Sequence, residues 1–483
     1  MKQQLKKFID KYKCMSEPVK ASVWFALCNI VQRGISLLST PIFTRILTTE
    51  QYGVYSVYQS WYQIIFIFAT LNLTYGVYNN GLTKYENDRP VFTSAMQGLS
   101  TTITIGLFFI YLIGKSFWEN LFGLSGLFIV AMFIEFLFQP AYLFWSAEQR
   151  YNYKYRATVI TTVFIAISSP LLGIIAVLST EYKAEARVLS YVLIQVVIGL
   201  IFYLYNIFKG KKYYHREYWK FALAFNIPLI PHYLSMQVLG QADRIMISSM
   251  CGKDKAAIYS VAHTISMMMN IVTSAINNSF IPYTYKSLKN KEYKGIRNNS
   301  KILLLLVGAA CIIAMAFGPE VIRIFASKEY YDAIWIIPPV ASSVYFMFLY
   351  PLFSNVEFYF EKTKFVMIAS CVGAFTNLVL NAVFIRIFDY YAAGYTTLVC
   401  YIIFAFAHYF CYKKIISKEL PKVQSIYDIK FIIVCSVGVI FTMLCMTLVY
   451  EHMVIRYSIV IIIGIIMIWK RHKLSTTLKN MKK

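Results

Sequence analysis

Glu50-Gln51-Tyr52-Gly53-Val54-Tyr55-Ser56-Val57 opens one apolar stretch of the chain, and Asp254-Lys255-Ala256-Ala257-Ile258-Tyr259-Ser260-Val261 opens another 204 residues later. Each follows an arginine at the end of the preceding stretch, in Arg45-Ile46-Leu47 and Arg244-Ile245-Met246. A three-residue identity arises easily by chance. The same identity at the same place in two apolar segments, six segments apart and after a matched arginine, points to an internal repeat. Six is even, so the two copies run in the same direction.

The surrounding composition says what the repeat is made of. Of 483 residues, 58% are hydrophobic and 14% charged, with a mean hydropathy of +0.55. A soluble domain carries about 25% charged residues, so this chain lacks the polar surface to cover a water-facing globule. Apolar stretches of helix-spanning length recur from Val19 to Trp469, each able to cross the ~30 Å hydrocarbon core. Their pattern predicts fourteen helices, over 20–46, 52–74, 91–114, 117–145, 155–178, 187–208, 219–250, 255–283, 301–326, 332–356, 364–387, 391–412, 428–450 and 453–470. The soluble connections are too short to house a catalytic domain.

The net charge of +24 sits in short clusters between spans, a pattern of membrane orientation and not of nucleic-acid binding. Sorting the 47 basic residues by alternate loops puts 35 on one side and 10 on the other, with Arg33 and Arg244 inside spans. The positive-inside rule then places both termini in the cytoplasm, as an even helix count also requires. The first span is long and lacks a small-residue cleavage site, so it reads as a retained helix. The nine cysteines form no C-x-x-C pair and mostly lie in apolar runs, as small buried hydrophobes do.

The fold expected is therefore an all-α polytopic membrane protein with about 14 transmembrane helices. Two parallel pseudo-symmetric six-helix lobes are followed by a C-terminal helix pair. The N-lobe is 1–215, the C-lobe 216–415, and 416–483 holds helices 13–14 with a basic cytoplasmic tail. Such lobes face each other across a cleft open to one leaflet at a time.

Two stretches carry a family resemblance. Ser36-Leu37-Leu38-Ser39-Thr40-Pro41-Ile42-Phe43-Thr44-Arg45-Ile46-Leu47-Thr48-Thr49-Glu50-Gln51-Tyr52-Gly53 resembles the first-helix signature of bacterial polysaccharide flippases of the Wzx type. Asn226-Ile227-Pro228-Leu229-Ile230-Pro231-His232, continuing to Ala242-Asp243-Arg244-Ile245-Met246-Ile247, resembles their seventh helix. The resemblance places the chain in the multidrug/oligosaccharidyl-lipid/polysaccharide exporter superfamily. It implies movement of an undecaprenyl-diphosphate-linked oligosaccharide between leaflets of the bacterial cytoplasmic membrane, for O-antigen or capsule assembly. Lipid-linked oligosaccharide, membrane lipids and other polysaccharide-assembly proteins are the implied partners. The superfamily also contains drug exporters, so the fold alone leaves the substrate open.

Polar residues inside the spans are costly and mark candidate sites. Asn29, Arg33, Ser36 and Thr40 share one face of the first span, with Arg33 about 20 Å of helix beyond Lys20. A guanidinium at that depth is the expected anchor for a diphosphate. His263, Ser266, Asn270, Thr273, Ser274 and Asn277 stripe the eighth span, and His263 corresponds to Gln59 under the repeat offset. Arg33, His232, His263, Gln59 and Asn270 are thus the candidate substrate contacts, the histidines adding positive charge. The same stripes also suit interhelical hydrogen bonding. Pro228 and Pro231 predict a kink beside His232. Asp243 and Arg244 are expected as an ion pair, mutual or interhelical, or as a gate. Glu135 offers two roles, the partner of Arg33 or an acid binding a coupling proton or sodium ion. Trp118, Trp219 and Trp469 read as interfacial anchors.

Enzyme functions find no support. No D-x-D motif occurs, no long outer loop suits a polymerase, and Phe109 stands where a P-loop before Lys115 needs glycine. Neither a metal-ligand cluster nor a nucleophile triad emerges. The chain reads as a transporter without a cofactor, for which a proton or sodium gradient is the candidate coupling.

Overall fold

The computed structural model describes residues 16–421 and 423–469. The basic residues expected at 2–13, at Lys422 and in the tail from Lys470 lie outside the described residues. The described chain is helical throughout, with nineteen α-helices and four 3-10 turns. In order, the first nine are α1 Glu17–Ile46, α2 Thr49–Thr70, α3 Val77–Lys84, α4 Arg89–Ile113, α5 Lys115–Phe122, α6 Gly126–Tyr151, α7 Tyr155–Leu178, α8 Lys183–Gly210 and α9 Arg216–Asn226. Then follow α10 Ile230–Met250, α11 Lys253–Met267, α12 Met269–Lys289, α13 Tyr293–Ala316, α14 Gly318–Phe325, α15 Ile337–Tyr359, α16 Thr363–Phe388, α17 Ala392–Glu419, α18 Ile429–Leu448 and α19 Met453–Trp469.

Helices make up most of each expected apolar segment within the described residues. Ten helical stretches are long and apolar enough to cross a membrane, and one of them, 365–419, contains both α16 and α17. The more polar α2 and α10 fall outside those ten.

Several predicted helices are broken, each for a local reason. The predicted 117–145 helix is α5 and α6, separated where Gly123 adopts φ +61° and ends α5 in a left-handed cap. Leu71 and Asn72, at φ 48° and 50°, end α2. In 219–250 the chain passes through a 3-10 turn at Ile227–Leu229, where Pro228 removes a backbone donor. Turns at Met268 and Phe317 divide 255–283 and 301–326.

The chain divides into two compact units between Leu234 and Ser235. In the first, α6 and α8 pack along each other, with α7 on α8 and α1 on α7. Their backbones meet at Gly199, where a Cβ would lie 2.5 Å from the Phe138 carbonyl carbon. Asn206 on α8 donates to Gln97 Oε1 on α4 at 2.9 Å and to the Ala141 carbonyl at 3.1 Å, clamping three helices. The α9 helix packs on this unit too: Tyr218 and Ala222 join the core around Tyr78, Phe92 and Phe144. Trp219, expected at the interface, donates its indole N–H to the Ala95 carbonyl at 2.8 Å.

In the second unit α15 is the most buried span, packed by α11, α12, α13, α17 and α18. The helix pair α18–α19 is fastened to this unit at both ends. Arg456 on α19 grips both Glu320 carboxylate oxygens at 2.8 Å, and Lys301 pairs with Asp428 at 2.6 Å. Tyr450 and Tyr427 donate to the carbonyls of Met315 and Leu352. The Arg456 guanidinium holds the Glu320 carboxyl below its ordinary value of 4.5.

Each unit joins two of its spans through a carboxylate and a nitrogen side chain: Glu148 on α6 with Lys209 on α8 at 3.1 Å, and Glu357 on α15 with His408 on α17 at 3.0 Å. Tyr55 and Tyr259, equivalent in sequence, both face a buried charge, but of opposite sign. Tyr55 stacks on the Arg187 guanidinium at 3.9 Å, and Tyr259 donates to the Asp243 carboxylate.

Candidate functional site

The α1 helix carries three faces. Ala21, Cys28 and Phe43 are buried; Val23, Leu27, Ile30 and Leu38 form an exposed apolar face. Asn29, Arg33 and Ser36 form a separate exposed polar stripe, with Thr40 buried at its end. Among the described residues Arg33 makes no hydrogen bond or ion pair. The expected pair of Arg33 with Glu135 is therefore corrected. Glu135 is fully buried on α6, where its Oε2 accepts from the Tyr58 hydroxyl at 2.9 Å, and Arg33 is exposed on another helix.

Glu135 sits in a polar group inside the first unit. The Tyr62 hydroxyl lies beside the same carboxylate, and Gln59 Nε2 is buried without a hydrogen-bond partner among the described residues. Tyr191 lies against Gln59 and within electrostatic reach of both Glu135 and Arg187. The Arg187 guanidinium, counted as a loop charge from the sequence, is buried between the Phe43 and Tyr55 rings, 3.9 Å from each. No sequence pattern pointed to it, because cation–π burial depends on rings from distant helices.

The second unit holds a different arrangement around Asp243 on α10. This carboxylate is 2% exposed and accepts four hydrogen bonds from three other helices. Tyr259 and Thr397 donate to Oδ2, Thr397 at 2.7 Å. Asn381 and Asn377 donate to Oδ1, at 2.6 and 3.2 Å. Thr396 donates in turn to Asn381 Oδ1. Among the described residues no cation forms an ion pair with Asp243, so the mutual pair expected with Arg244 is corrected too. Neighbouring residues on a helix point about 100° apart. Asp243 enters the packed interior, while Arg244 turns toward α11 and donates to His263 Nδ1 at 2.8 Å. Because a guanidinium only donates, His263 Nδ1 must accept, which leaves the ring neutral with its proton on Nε2. The positive charge expected of His263 is thus carried by Arg244 beside it.

Of the remaining candidates, Asn270 donates to the Met267 sulfur at 3.2 Å and accepts from Thr273 at 3.3 Å. Asn277 accepts from Asn355 at 3.2 Å. The stripe on the eighth span is thus partly consumed by local hydrogen bonds. His232 is half-buried at the start of α10, in the first unit. The structure joins His263 to Arg244 and Glu135 to Tyr58, and leaves Arg33 exposed. It adds Asn377, Asn381, Thr396 and Thr397. Their only signal in the sequence was the i, i+4 spacing of Asn377 and Asn381 within an apolar run.

Known proteins resemble this chain over most of its length. The description "Polysaccharide biosynthesis protein" matches residues 19–288, and "MatE" matches residues 228–383. The "Lsg locus putative protein 1" of Haemophilus influenzae is 24% identical over 369 residues, covering 72% of this chain and 86% of that protein. Among solved structures, the lipid II flippase MurJ in an inward closed conformation superposes with a TM-score of 0.73 at 16% identity. That alignment covers 94% of this chain and all of MurJ. An inward-facing multidrug resistance transporter of the MATE family, within the MOP superfamily, gives 0.57 at 14% identity, over 84% of this chain and all of that one. The fold is that of MOP-superfamily transporters, and the family match across more than half of the sequence means that the chain belongs to the polysaccharide biosynthesis protein family.

Proposed function

We propose that this protein is a flippase that carries an undecaprenyl-diphosphate-linked oligosaccharide from the cytoplasmic to the outer leaflet of the bacterial cytoplasmic membrane, by alternating access. Both termini lie in the cytoplasm, as the charge bias requires. The observation that carries the reading is the α1 stripe, within a chain of this family: Arg33 stands exposed beside Asn29 and Ser36, with no carboxylate paired to it among the described residues. A planar guanidinium grips phosphate oxygens bidentately. The oligosaccharide moves intact, and no group of the protein enters covalent chemistry.

Asp243 is the coupling site in this account. A buried carboxylate that accepts from two hydroxyls and two amide N–H groups, with no cation paired to it among the described residues, suits a proton as the coupling ion. The match of residues 228–383 to MatE favours a second reading, an ion-coupled drug exporter. A cleft for cationic drugs would favour exposed carboxylates, whereas α1 exposes an arginine.

Deleting the gene tests the proposal. The expected result is complete lipid-linked repeat units accumulating on the cytoplasmic leaflet. Repeat units lacking a sugar would make the protein an enzyme, and normal export with increased drug sensitivity would favour the exporter.

A further inference from the structure

A cavity of about 840 Å³ opens on the second unit between α13, α18 and α19. Its walls are apolar, among them Ile302, Leu305, Ala309, Val434 and Cys435, and one end carries Asn298 and Lys301. A second cavity, of about 430 Å³, holds Arg297, Lys413 and Lys430 with Gln424 and Asp428. The two meet at the Lys301–Asp428 ion pair, since Lys301 lines one and Asp428 the other, 2.6 Å apart.

The basic end is built and not merely decorated. Arg297 donates to the carbonyls of Ser425 and Ile426, and Tyr412 Oη accepts from the Ile426 amide at 2.8 Å, so Ser425 and Ile426 are fixed just before α18. Asp428 caps α18 by accepting from the Phe431 amide at 3.1 Å. Lys413 and Lys430 are exposed and form no ion pair among the described residues. Four cations therefore surround one carboxylate. The apolar groove runs from Lys301 to Ile312 along α13, about 16 Å of helix, or half of the ~30 Å hydrocarbon core. Beside it, α18 exposes Ile433, Val437 and Phe441.

We propose that this groove binds an anionic phospholipid of the leaflet on the protein's basic side. Its phosphate sits among Lys301, Lys413 and Lys430, and one acyl chain lies along α13 and α18. The depth fits a chain confined to one leaflet. The surplus of cations selects an anionic head group over a zwitterionic one. The site is separate from Arg33 and Asp243 and stands whichever transport reading holds.

Native mass spectrometry of the purified full chain tests this, with dioleoyl phosphatidylglycerol, dioleoyl phosphatidylcholine and undecaprenyl phosphate each added as probe. Phosphatidylglycerol should be retained over phosphatidylcholine, and Lys413→Gln or Lys430→Gln should each weaken its retention about fivefold. Gly438 lines the groove, and a Cβ built on it meets nothing within 4 Å. Gly438→Leu should therefore fill the groove without disturbing the fold and abolish the preference. Thermal unfolding, expected to be unchanged, confirms folding of each variant. Equal retention of both phospholipids would overturn the proposal, as would unchanged phosphatidylglycerol binding in the Lys413→Gln/Lys430→Gln double variant. Loss of undecaprenyl phosphate alone in Gly438→Leu would assign the groove to a polyprenyl chain instead.

Discussion

Replacing Asp243 by leucine removes the acceptor of four hydrogen bonds, and the geometry says how many donors are then stranded. Asn381 already donates to Asn377 Oδ1 at 3.3 Å and keeps that bond. Tyr259 and Thr397 lie 3.5 Å apart, so one hydroxyl can turn to the other. That leaves Asn377 Nδ2 and one hydroxyl unsatisfied in a buried site. At about 1–3 kcal/mol per buried orphan, the loss is about 2–6 kcal/mol. Asp243→Asn keeps one acceptor oxygen, and both hydroxyls can accept from the new amide. Exchanging charge-assisted bonds for neutral ones should then cost about 1–2 kcal/mol. Thermal unfolding of the purified chain in detergent, followed by tryptophan fluorescence, should rank wild type above Asp243→Asn above Asp243→Leu. Both variants should insert and lose transport. A Leu variant that melts with wild type would refute the cage, and an Asn variant less stable than Leu would refute the reasoning about its donors.

Other outcomes follow from the same geometry. Arg33→Ala should abolish export at normal membrane levels, and Arg33→Lys should restore only part, keeping charge without the planar fork. Because Glu135 is buried on Tyr58, the double variant Arg33→Ala/Glu135→Ala should not recover export, which a quantitative surface-glycan assay reads directly. Gly199→Ala places a methyl group 2.5 Å from the Phe138 backbone and should destabilise by about 1–3 kcal/mol, while Gly106→Ala, with nothing within 4 Å, should not lower the melting temperature. The Glu320 carboxyl, held below 4.5 by Arg456, contributes stability above that pH and loses it as pH falls through its lower folded value. Glu320→Gln should therefore remove an acid-dependent component of the melting curve and leave the profile near neutrality flat.

Much of the helical scaffold was legible because apolar runs of spanning length announce themselves one at a time. Chemistry marks the breaks at Pro228 and at Phe317, which Gly318-Pro319 follows, while Met268 carries no such mark. The site was harder. Arg33 stood out as a lone cation deep in a span, and the exposed stripe around it followed from a spacing of three and four. Asp243 was noticed but given the wrong neighbour, since sequence adjacency suggested Arg244 while helical geometry turns the two apart. Its true partners lie 16 to 154 residues away and are individually ordinary tyrosine, asparagine and threonine. His408 and Glu357 were missed for the same reason: each looks incidental until α15 and α17 bring them within 3.0 Å.

The central claim is that the protein moves an intact lipid-linked oligosaccharide between leaflets. Its most direct test is reconstitution of the purified chain into vesicles carrying undecaprenyl-diphosphate-linked oligosaccharide on the inner leaflet alone, with an impermeant glycosidase outside. The account predicts that oligosaccharide becomes accessible to the enzyme only in vesicles holding the wild-type protein, with its sugar composition unchanged, and not with Arg33→Ala. Oligosaccharide that stays protected in vesicles containing folded wild-type protein, or that emerges lengthened or trimmed, would contradict it.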